Sequence, residues 1–241
     1  MRSMMWTSFL LGADVLLRPT EADVSSLGPQ HQAAWDRELK NVPDKPLMVM
    51  FPVDPSNVPP TRNCTIVTFN LYPLSRGHVH ITGPKIDDIP EFDPGALSDP
   101  EALDVKSHMW TYKKHREIVH RMGIIRDKIP GMHPTFPDGS KVVKNDTGKF
   151  ECTAEDDKII EDFIREHLDF TWHPISTCKM ASHKELGVVD PALNVYGVQR
   201  LKIADMGIPS HNIDANLANT AMNSGEKAAD IFIHELGLDK K

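Results

Sequence analysis

Four side chains that could bind a metal or act in nucleophilic catalysis lie within seventeen positions of one another: His167, His173, Cys178 and His183. Imidazole nitrogens and thiolates are good zinc ligands. The spacing matches neither of the compact forms C-x-x-C and H-E-x-x-H. We therefore predict no metal site in this segment.

A thiol nucleophile is the other chemistry that this segment could offer. It would need a neighbouring base and a third group that orients the base. Cys178 follows His173 by five positions, which does not establish that the two are close, and no orienting acid is evident. We interpret Cys178 as a small buried apolar residue.

The glycine spacing argues against the two common loops that bind a nucleotide diphosphate. The chain has 14 glycines, and no two of them are separated by a single residue. The G-x-G-x-x-G turn is therefore absent, and so is the Walker A pattern.

Two helices are predicted on either side of the segment that contains His173. Thr153 caps the first, with Asp156 and Asp157 in its first turn and an apolar face formed by Ile159, Ile160, Phe163 and Ile164. The last helix is predicted over about 219–236 and is closed by Gly237. We expect its small and apolar residues to pack in the core: Ala221, Met222, Gly225, Ala228, Ala229 and Phe232.

Apolar runs predict strands in an antiparallel sheet. Residues 47–52 resemble a buried strand, and 201–204 are a further candidate. Residues 63–72 and the alternating segment 78–82 are separated by the turn Arg76-Gly77, so we expect these two segments to pair as a hairpin.

Helices are predicted in two more regions. Residues 1–39 suit helices, with turns at 18–19 and 28–29. Ser98 and Glu101 have the spacing of a capping box, which predicts the start of a long helix that ends near Met122.

The composition excludes several classes of protein. With 241 residues, 40% of them hydrophobic, the chain can bury a core and is not disordered. The 27 Lys and Arg residues against 34 Asp and Glu leave no basic surplus, so we expect no nucleic-acid partner. No apolar run approaches the ~20 residues of a membrane helix, so we expect no membrane partner. The three cysteines, Cys64, Cys152 and Cys178, cannot form a full disulfide framework, which favours a reducing, cytoplasmic location, with secretion as the alternative.

A series of short motifs follows in order from residue 171 onward. They are T-W-H-P-I-S-T-C-K-M (171–180), G-V-V-D-P (187–191), V-Y-G-V (195–198), L-K-I-A-D (201–205), Asn216 and G-E-K-A-A-D (225–230). Together they closely resemble the C-terminal part of the glucose–methanol–choline (GMC) oxidoreductases, flavoenzymes that oxidise alcohols. The segments L-S-R-G-H-V (74–79) and D-P…L-S-D-P-E (93–101) resemble earlier motifs of that family, so the resemblance covers roughly residues 66–236.

The resemblance implies a fold, a cofactor and a site. The expected fold is α+β, an antiparallel sheet flanked by helices, with the C-terminal helix packing at the flavin site. FAD is the implied cofactor and an alcohol the implied substrate. His173 matches the family's catalytic base, and Asn216, 43 residues later, matches its second catalytic position. Asp205, Asn216 and Leu217 are the positions expected to contact the cofactor.

These residue types suit alcohol oxidation on chemical grounds. The hydroxyl proton must leave as hydride is transferred, and an imidazole, with an ordinary pKa near 6.5, accepts a proton well at neutral pH. An asparagine amide can hold the same oxygen without competing for the proton. The N-terminus of the last helix begins just after Asn216, and its free N–H groups would stabilise negative charge on a reduced flavin.

The sequence departs from the family in length and in its loops. Most members are more than twice as long and open with the glycine-rich FAD-binding turn that this chain lacks. The loop before Asn216 reads Asp214-Ala215, where Ser-Gly is common. We expect residues 1–60 to form a helical or extended N-terminal segment and residues 61–241 to form the C-terminal catalytic domain.

Three interpretations of the short chain stay open. It is part of a split flavoenzyme, a truncated product of a longer gene, or a flavin-free cyclase, dehydratase or lyase that uses His173 for proton transfer. A non-catalytic interaction subunit is a further alternative. A missing FAD domain would uncover an apolar face, which a second chain carrying that domain or a homodimer would bury.

Overall fold

The computed structural model describes residues 15–53, 65–122, 129, 131–140, 142, 151–213 and 216–238. The chain divides into two compact units. Unit 1 comprises Met1–Ser75 and Leu97–Leu168, and unit 2 comprises Arg76–Ala96 and Asp169–Lys241. The predicted boundary between residues 60 and 61 lies outside the described residues and stays a prediction.

Unit 1 is built on a three-stranded antiparallel sheet in the order β1 (Val15–Leu17), β2 (Met48–Val53), β3 (Thr65–Asn70). The predicted strand at 47–52 is therefore confirmed and occupies the centre, where the side chain of Met48 is fully buried. The prediction of helices over 1–39 is wrong at 15–17, because these three residues form β1 by pairing with β2 rather than by a pattern of their own.

Four helices accompany this sheet: α1 (Glu21–Ser26), α2 (Pro29–Glu38), α3 (Leu103–Arg121) and α4 (Ala154–His167). Val24, Trp35, Met48 and Trp110 are among the residues that form the core of unit 1. This combination of helices and small antiparallel sheets confirms the α+β class. None of the helices in the described part of the chain is both long and apolar enough to cross a membrane.

The predicted cap of α4 is confirmed, whereas that of α3 is wrong. Thr153 and Asp156 form a reciprocal capping box at the start of α4. At α3 it is the carboxylate of Asp99, not Ser98, that accepts the N–H groups of Leu103 and Asp104, at 2.5 and 3.2 Å. Asp99 is selected because its own N–H donates to the Ser75 hydroxyl at 3.2 Å, a contact distant in sequence.

Unit 2 contains a two-stranded antiparallel hairpin, β4 (His78–His80) with β5 (Glu91–Asp93), and the last helix, α5 (Ala218–Glu235). The predicted pairing of 63–72 with 78–82 is wrong, because β3 pairs with β2 instead. The hairpin is closed by tight packing at its base. A Cβ on Gly77 would overlap the Asp93 carbonyl oxygen, and Gly95, at φ +61°, lies against the backbone of Arg76.

The predicted strand at 201–204 and most of the predicted core face of α5 are wrong. Only Lys202 forms a bridge, to Asn194. On α5, Ala228 is buried and Phe232 is half-buried, but the remaining predicted core residues are exposed: Ala221, Met222, Gly225 and Ala229. Helical periodicity identifies an apolar face but does not show whether the same chain covers it.

Acid should destabilise unit 1 through His115 on α3. Burial, with His133 and Arg116 acting in the same direction, lowers the pKa of His115 to about 4. In the unfolded chain its pKa returns to about 6.5, so the unfolded state binds more protons between these values. Stability is therefore unaffected above about pH 6.5 and falls as the pH is lowered towards 4.

We expect the free energy of unfolding to fall by roughly 2 kcal/mol between pH 7 and pH 4.5 from this residue. His115→Gln should remove that part of the loss, whereas His120→Gln, exposed on the same helix, should not. Urea unfolding at the two pH values measures the difference. An equal pH dependence in all three proteins would contradict the assignment.

Candidate active site

The segment that carries His173 turns sharply on both sides of it. Trp172, at φ +58°, and Ser176, at φ +67°, adopt the left-handed conformation, which is uncommon for residues other than glycine. The side chains of Trp172 and His173 are both exposed, the indole by 85%. His173 therefore lies on a defined turn at the surface of unit 2.

Backbone hydrogen bonds join this turn to the loop that carries Asp205. The N–H groups of Ser176, Cys178 and Met180 donate to carbonyls in 206–208, at 3.3, 3.0 and 2.8 Å. The Ser176 hydroxyl donates to the Pro209 carbonyl at 2.6 Å. The two segments thus lie side by side, although about thirty residues separate them in the sequence.

The structure brings His173 and Asn216 into direct contact. The Asn216 amide nitrogen Nδ2 lies 3.2 Å from His173 Nε2. The amide oxygen of Asn216 accepts the backbone N–H of Ala218, the first residue of α5, at 2.9 Å. On its other side, His173 Nδ1 contacts the carbonyl oxygen of Thr171. Both side chains are exposed, so a small molecule can reach them.

Within the described residues, Asn216 caps only the N–H of Ala218 at the N-terminus of α5, and the N-cap residue Leu217 adds no side-chain hydrogen bond. The first intrahelical bond runs from Ala221 N–H to the carbonyl of Leu217, at 2.9 Å. The amides of Asn219 and Thr220 precede that bond, and such amides favour a negatively charged or electron-rich partner. The side chain of Leu217 is buried, so only its backbone can contact a ligand.

Asp205 lies in the loop next to the His173 turn. Its Oδ1 accepts the N–H of Gly207 at 2.7 Å, and its side chain is exposed. A Cβ on Gly207 would lie 2.9 Å from the Thr177 hydroxyl, so the two segments pack closely here. The cofactor contacts expected for Asp205, Asn216 and Leu217 stay predictions.

The other histidines and the cysteine of the sequence cluster have local contacts. His167, in unit 1, stacks on Phe163, and in unit 2 His183 contacts the Tyr196 ring edge-on. Cys178 is half-buried and free. Across the described ranges, no three His, Cys, Asp or Glu side chains are grouped so that they could hold a metal ion.

Sequence reasoning missed the backbone partner of His173. No side-chain pattern could indicate the Thr171 carbonyl, because every residue has a backbone carbonyl. Only the conformation of the turn directs this one towards His173 Nδ1. It also missed Asn212, whose buried Oδ1 has no hydrogen-bond partner among the residues that the structure describes and whose loop leads to Asn216. The only sequence signal for Asn212 was its place between His211 and the last helix.

A family model described as GMC oxidoreductase matches residues 73–225. Among curated proteins, the alcohol oxidase of Pichia angusta is 32% identical over 282 aligned positions, which cover 93% of this chain and 42% of the relative. The alcohol oxidase of Candida boidinii is 31% identical with the same coverage. The chain therefore spans about two-fifths of the length of these relatives.

Solved structures agree with this relationship. A fungal aryl-alcohol oxidase superposes with a TM-score of 0.61 at 27% identity, covering 89% of this chain and 33% of the other. A formate oxidase variant from Aspergillus oryzae gives a TM-score of 0.69 at 17% identity, covering 90% of this chain and 37% of the other, which supports the fold alone. Because the family model covers more than half of its length, this chain belongs to the GMC oxidoreductase family.

Proposed function

We propose that this chain is the catalytic C-terminal part of an FAD-dependent GMC enzyme that oxidises an alcohol. His173 accepts the hydroxyl proton and Asn216 holds the same oxygen. The observation that carries the proposal is the 3.2 Å contact between Asn216 Nδ2 and His173 Nε2 on an accessible surface. The names of the relatives, alcohol oxidases and an aryl-alcohol oxidase, support an alcohol as the substrate class.

The residues of unit 2 fit one edge of an FAD site. The amides of Asn219 and Thr220, which no described side chain caps, suit the electron-rich edge of a flavin ring. Bound FAD supplies the hydride acceptor. The given sequence contains neither of the two glycine-rich diphosphate loops.

The chain's own residues prepare the alcohol for oxidation. A hydroxyl placed at the contact donates its proton to His173 Nε2, and the amide of Asn216 donates to the oxygen that becomes more negative. Removing the proton makes loss of hydride from the neighbouring carbon easier. A positioned base of this kind contributes about 10²–10⁴-fold to the rate.

Exposed apolar side chains indicate where the rest of the enzyme would bind. Val79 and Phe92 pair across the β4–β5 hairpin, which places them on one face. They are 45% and 66% exposed, and Ile86 and Ile89 in the connecting loop are 98% and 84% exposed. Exposed apolar side chains grouped in one hairpin are typical of an interaction site. We assign it to the FAD-binding part, because the chain covers only 42% of the aligned alcohol oxidases.

The proposal is tested by supplying that part as a separate polypeptide. The chain is purified alone and after co-expression with the portion of Pichia angusta alcohol oxidase outside the aligned region. We expect the chain alone to be colourless, and the pair to form a complex with flavin absorption bands that oxidises methanol or benzyl alcohol. Absorption spectra, light scattering and peroxide release measure the three properties.

A matched variant tests the surface. Ile86→Lys with Ile89→Lys should weaken the complex at least tenfold, whereas Ile118→Lys, on an exposed position of α3, should not. A colourless chain that catalyses proton transfer by itself would replace this proposal with the flavin-free alternative. A flavin-bearing complex that oxidises no alcohol would favour a non-catalytic role for the chain.

A further inference from the structure

The orientation of the Asn216 amide is determined by α5. The backbone N–H of Ala218 can only donate, so the amide atom 2.9 Å from it is the oxygen. The amide nitrogen is consequently the atom that lies 3.2 Å from His173 Nε2. An amide nitrogen only donates, which means that His173 Nε2 accepts this hydrogen bond and carries no proton.

The second ring nitrogen has the opposite requirement. The carbonyl of Thr171 can only accept, so His173 Nδ1 must carry a proton to bond with it. The structure assigns the Nδ1–H tautomer to His173. Two backbone groups position the ring: the Thr171 carbonyl contacts it directly, and the Ala218 N–H acts on it through the Asn216 amide. A histidine's tautomer is set in this way by the bond that its other nitrogen makes.

In this arrangement the lone pair of Nε2 is not protonated and accepts a hydrogen bond that a substrate can replace. A neutral imidazole has one acceptor nitrogen, and here the Asn216 amide occupies it until a substrate enters. An entering hydroxyl displaces the amide from Nε2, donates its own proton there and receives the amide hydrogen on its oxygen. The chain therefore presents its base already in the tautomer that the substrate needs. This consequence rests on the proposed function, whereas the tautomer itself does not.

Tautomers are read directly from two-bond ¹H–¹⁵N correlation spectra of the intact chain, labelled with ¹⁵N-histidine and held at pH 8, where an imidazole is ordinarily neutral. The His173→Gln spectrum identifies the signals of His173. We expect Nδ1 to be protonated and Nε2 to be unprotonated. In Asn216→Ala this single form should change to a mixture that includes the Nε2–H tautomer.

The isosteric Asn216→Asp variant gives the sharpest test. The carboxylate would keep the bond from Ala218 N–H but would offer only an acceptor to Nε2. With acceptors on both sides, the pure Nδ1–H form should be lost and a proton should be seen on Nε2 in part or all of the molecules. Asn219→Asp adds the same charge at an exposed position in the first turn of α5 and should leave the Nδ1–H signature unchanged.

Three results would overturn the assignment. They are an Nε2–H tautomer in the unmodified chain, an unchanged spectrum in Asn216→Asp, or the same protonation of Nε2 in Asn219→Asp, which would point to charge alone. The outcome is independent of turnover. If the Nδ1–H tautomer were found but no alcohol were oxidised, the tautomer assignment would stand and the proposed function would be wrong. If alcohol were oxidised but the tautomer were Nε2–H, only the tautomer assignment would be wrong.

Discussion

His173→Gln should lower kcat for alcohol oxidation by the assembled enzyme by about 10²–10⁴-fold, because the hydroxyl proton then has no positioned acceptor. Glutamine approximates the size of the side chain and can still donate to the Thr171 carbonyl, so the turn at 172–176 should persist. The Michaelis constant should change little, since the base acts mainly on the transition state. Steady-state kinetics of the flavin-bearing complex measure both values.

The control is a histidine in the same unit that contacts no predicted site residue. His211 is exposed, and its ring nitrogen lies 3.0 Å from the hydroxyl of the adjacent Ser210. His211→Gln should retain the rate and the flavin content of the parent complex. If His173→Gln also retained its rate, the catalytic role would be wrong and a non-catalytic subunit would be favoured.

The residues of the candidate site could be predicted from the sequence, but their distances from one another could not. Motif resemblance selected His173 and Asn216, yet a separation of 43 residues carries no information on distance. Their contact depends on the hydrogen bonds that align 176–180 with 206–209 and on the start of α5 directly after Asn216. The contact from the Thr171 carbonyl could not be predicted, because a pattern of side chains carries no information on backbone carbonyls.

The fold was predictable where local signals act alone. The capping box of Thr153 and the apolar run at 47–52 each defined an element, because nothing else in the chain competes for those residues. It was not predictable where two candidates compete. Ser98 and Asp99 are equally able to cap a helix, and the selection of Asp99 depends on Ser75, which is 24 residues away.

The predicted strand pairing was also wrong because two candidates competed, here two possible partners for β3. β3 has a strand-like pattern that would suit either neighbour, and it pairs with β2 over six residues, a longer ladder than β4 could offer with three. The loop after β3 is instead held against the start of α3 by the side chain of Asp104. This buried carboxylate therefore holds residues 74–75 at the start of α3.

Asp104→Ala should destabilise unit 1 by about 3–5 kcal/mol. The carboxylate is only 3% exposed and accepts three hydrogen bonds. Its Oδ1 receives the Asn70 amide and the Leu74 N–H, both at 3.0 Å, and its Oδ2 receives the Ser75 N–H at 2.7 Å. Removing it leaves donors in a half-buried loop without an acceptor, a loss that truncation to alanine cannot offset.

Two variants separate this network from a general effect of charge. Asp104→Asn keeps the shape and one acceptor oxygen, so it should lose less, about 1–3 kcal/mol. Glu101→Ala removes an exposed acid three residues earlier and should stay within about 0.5 kcal/mol of the parent. Urea unfolding followed by tryptophan fluorescence reports on unit 1, because Trp35 and Trp110 are buried there while Trp172 of unit 2 is already exposed. A loss below about 1 kcal/mol in Asp104→Ala would show that water replaces the carboxylate in the loop, so that Asp104 would not be what holds 74–75 against α3.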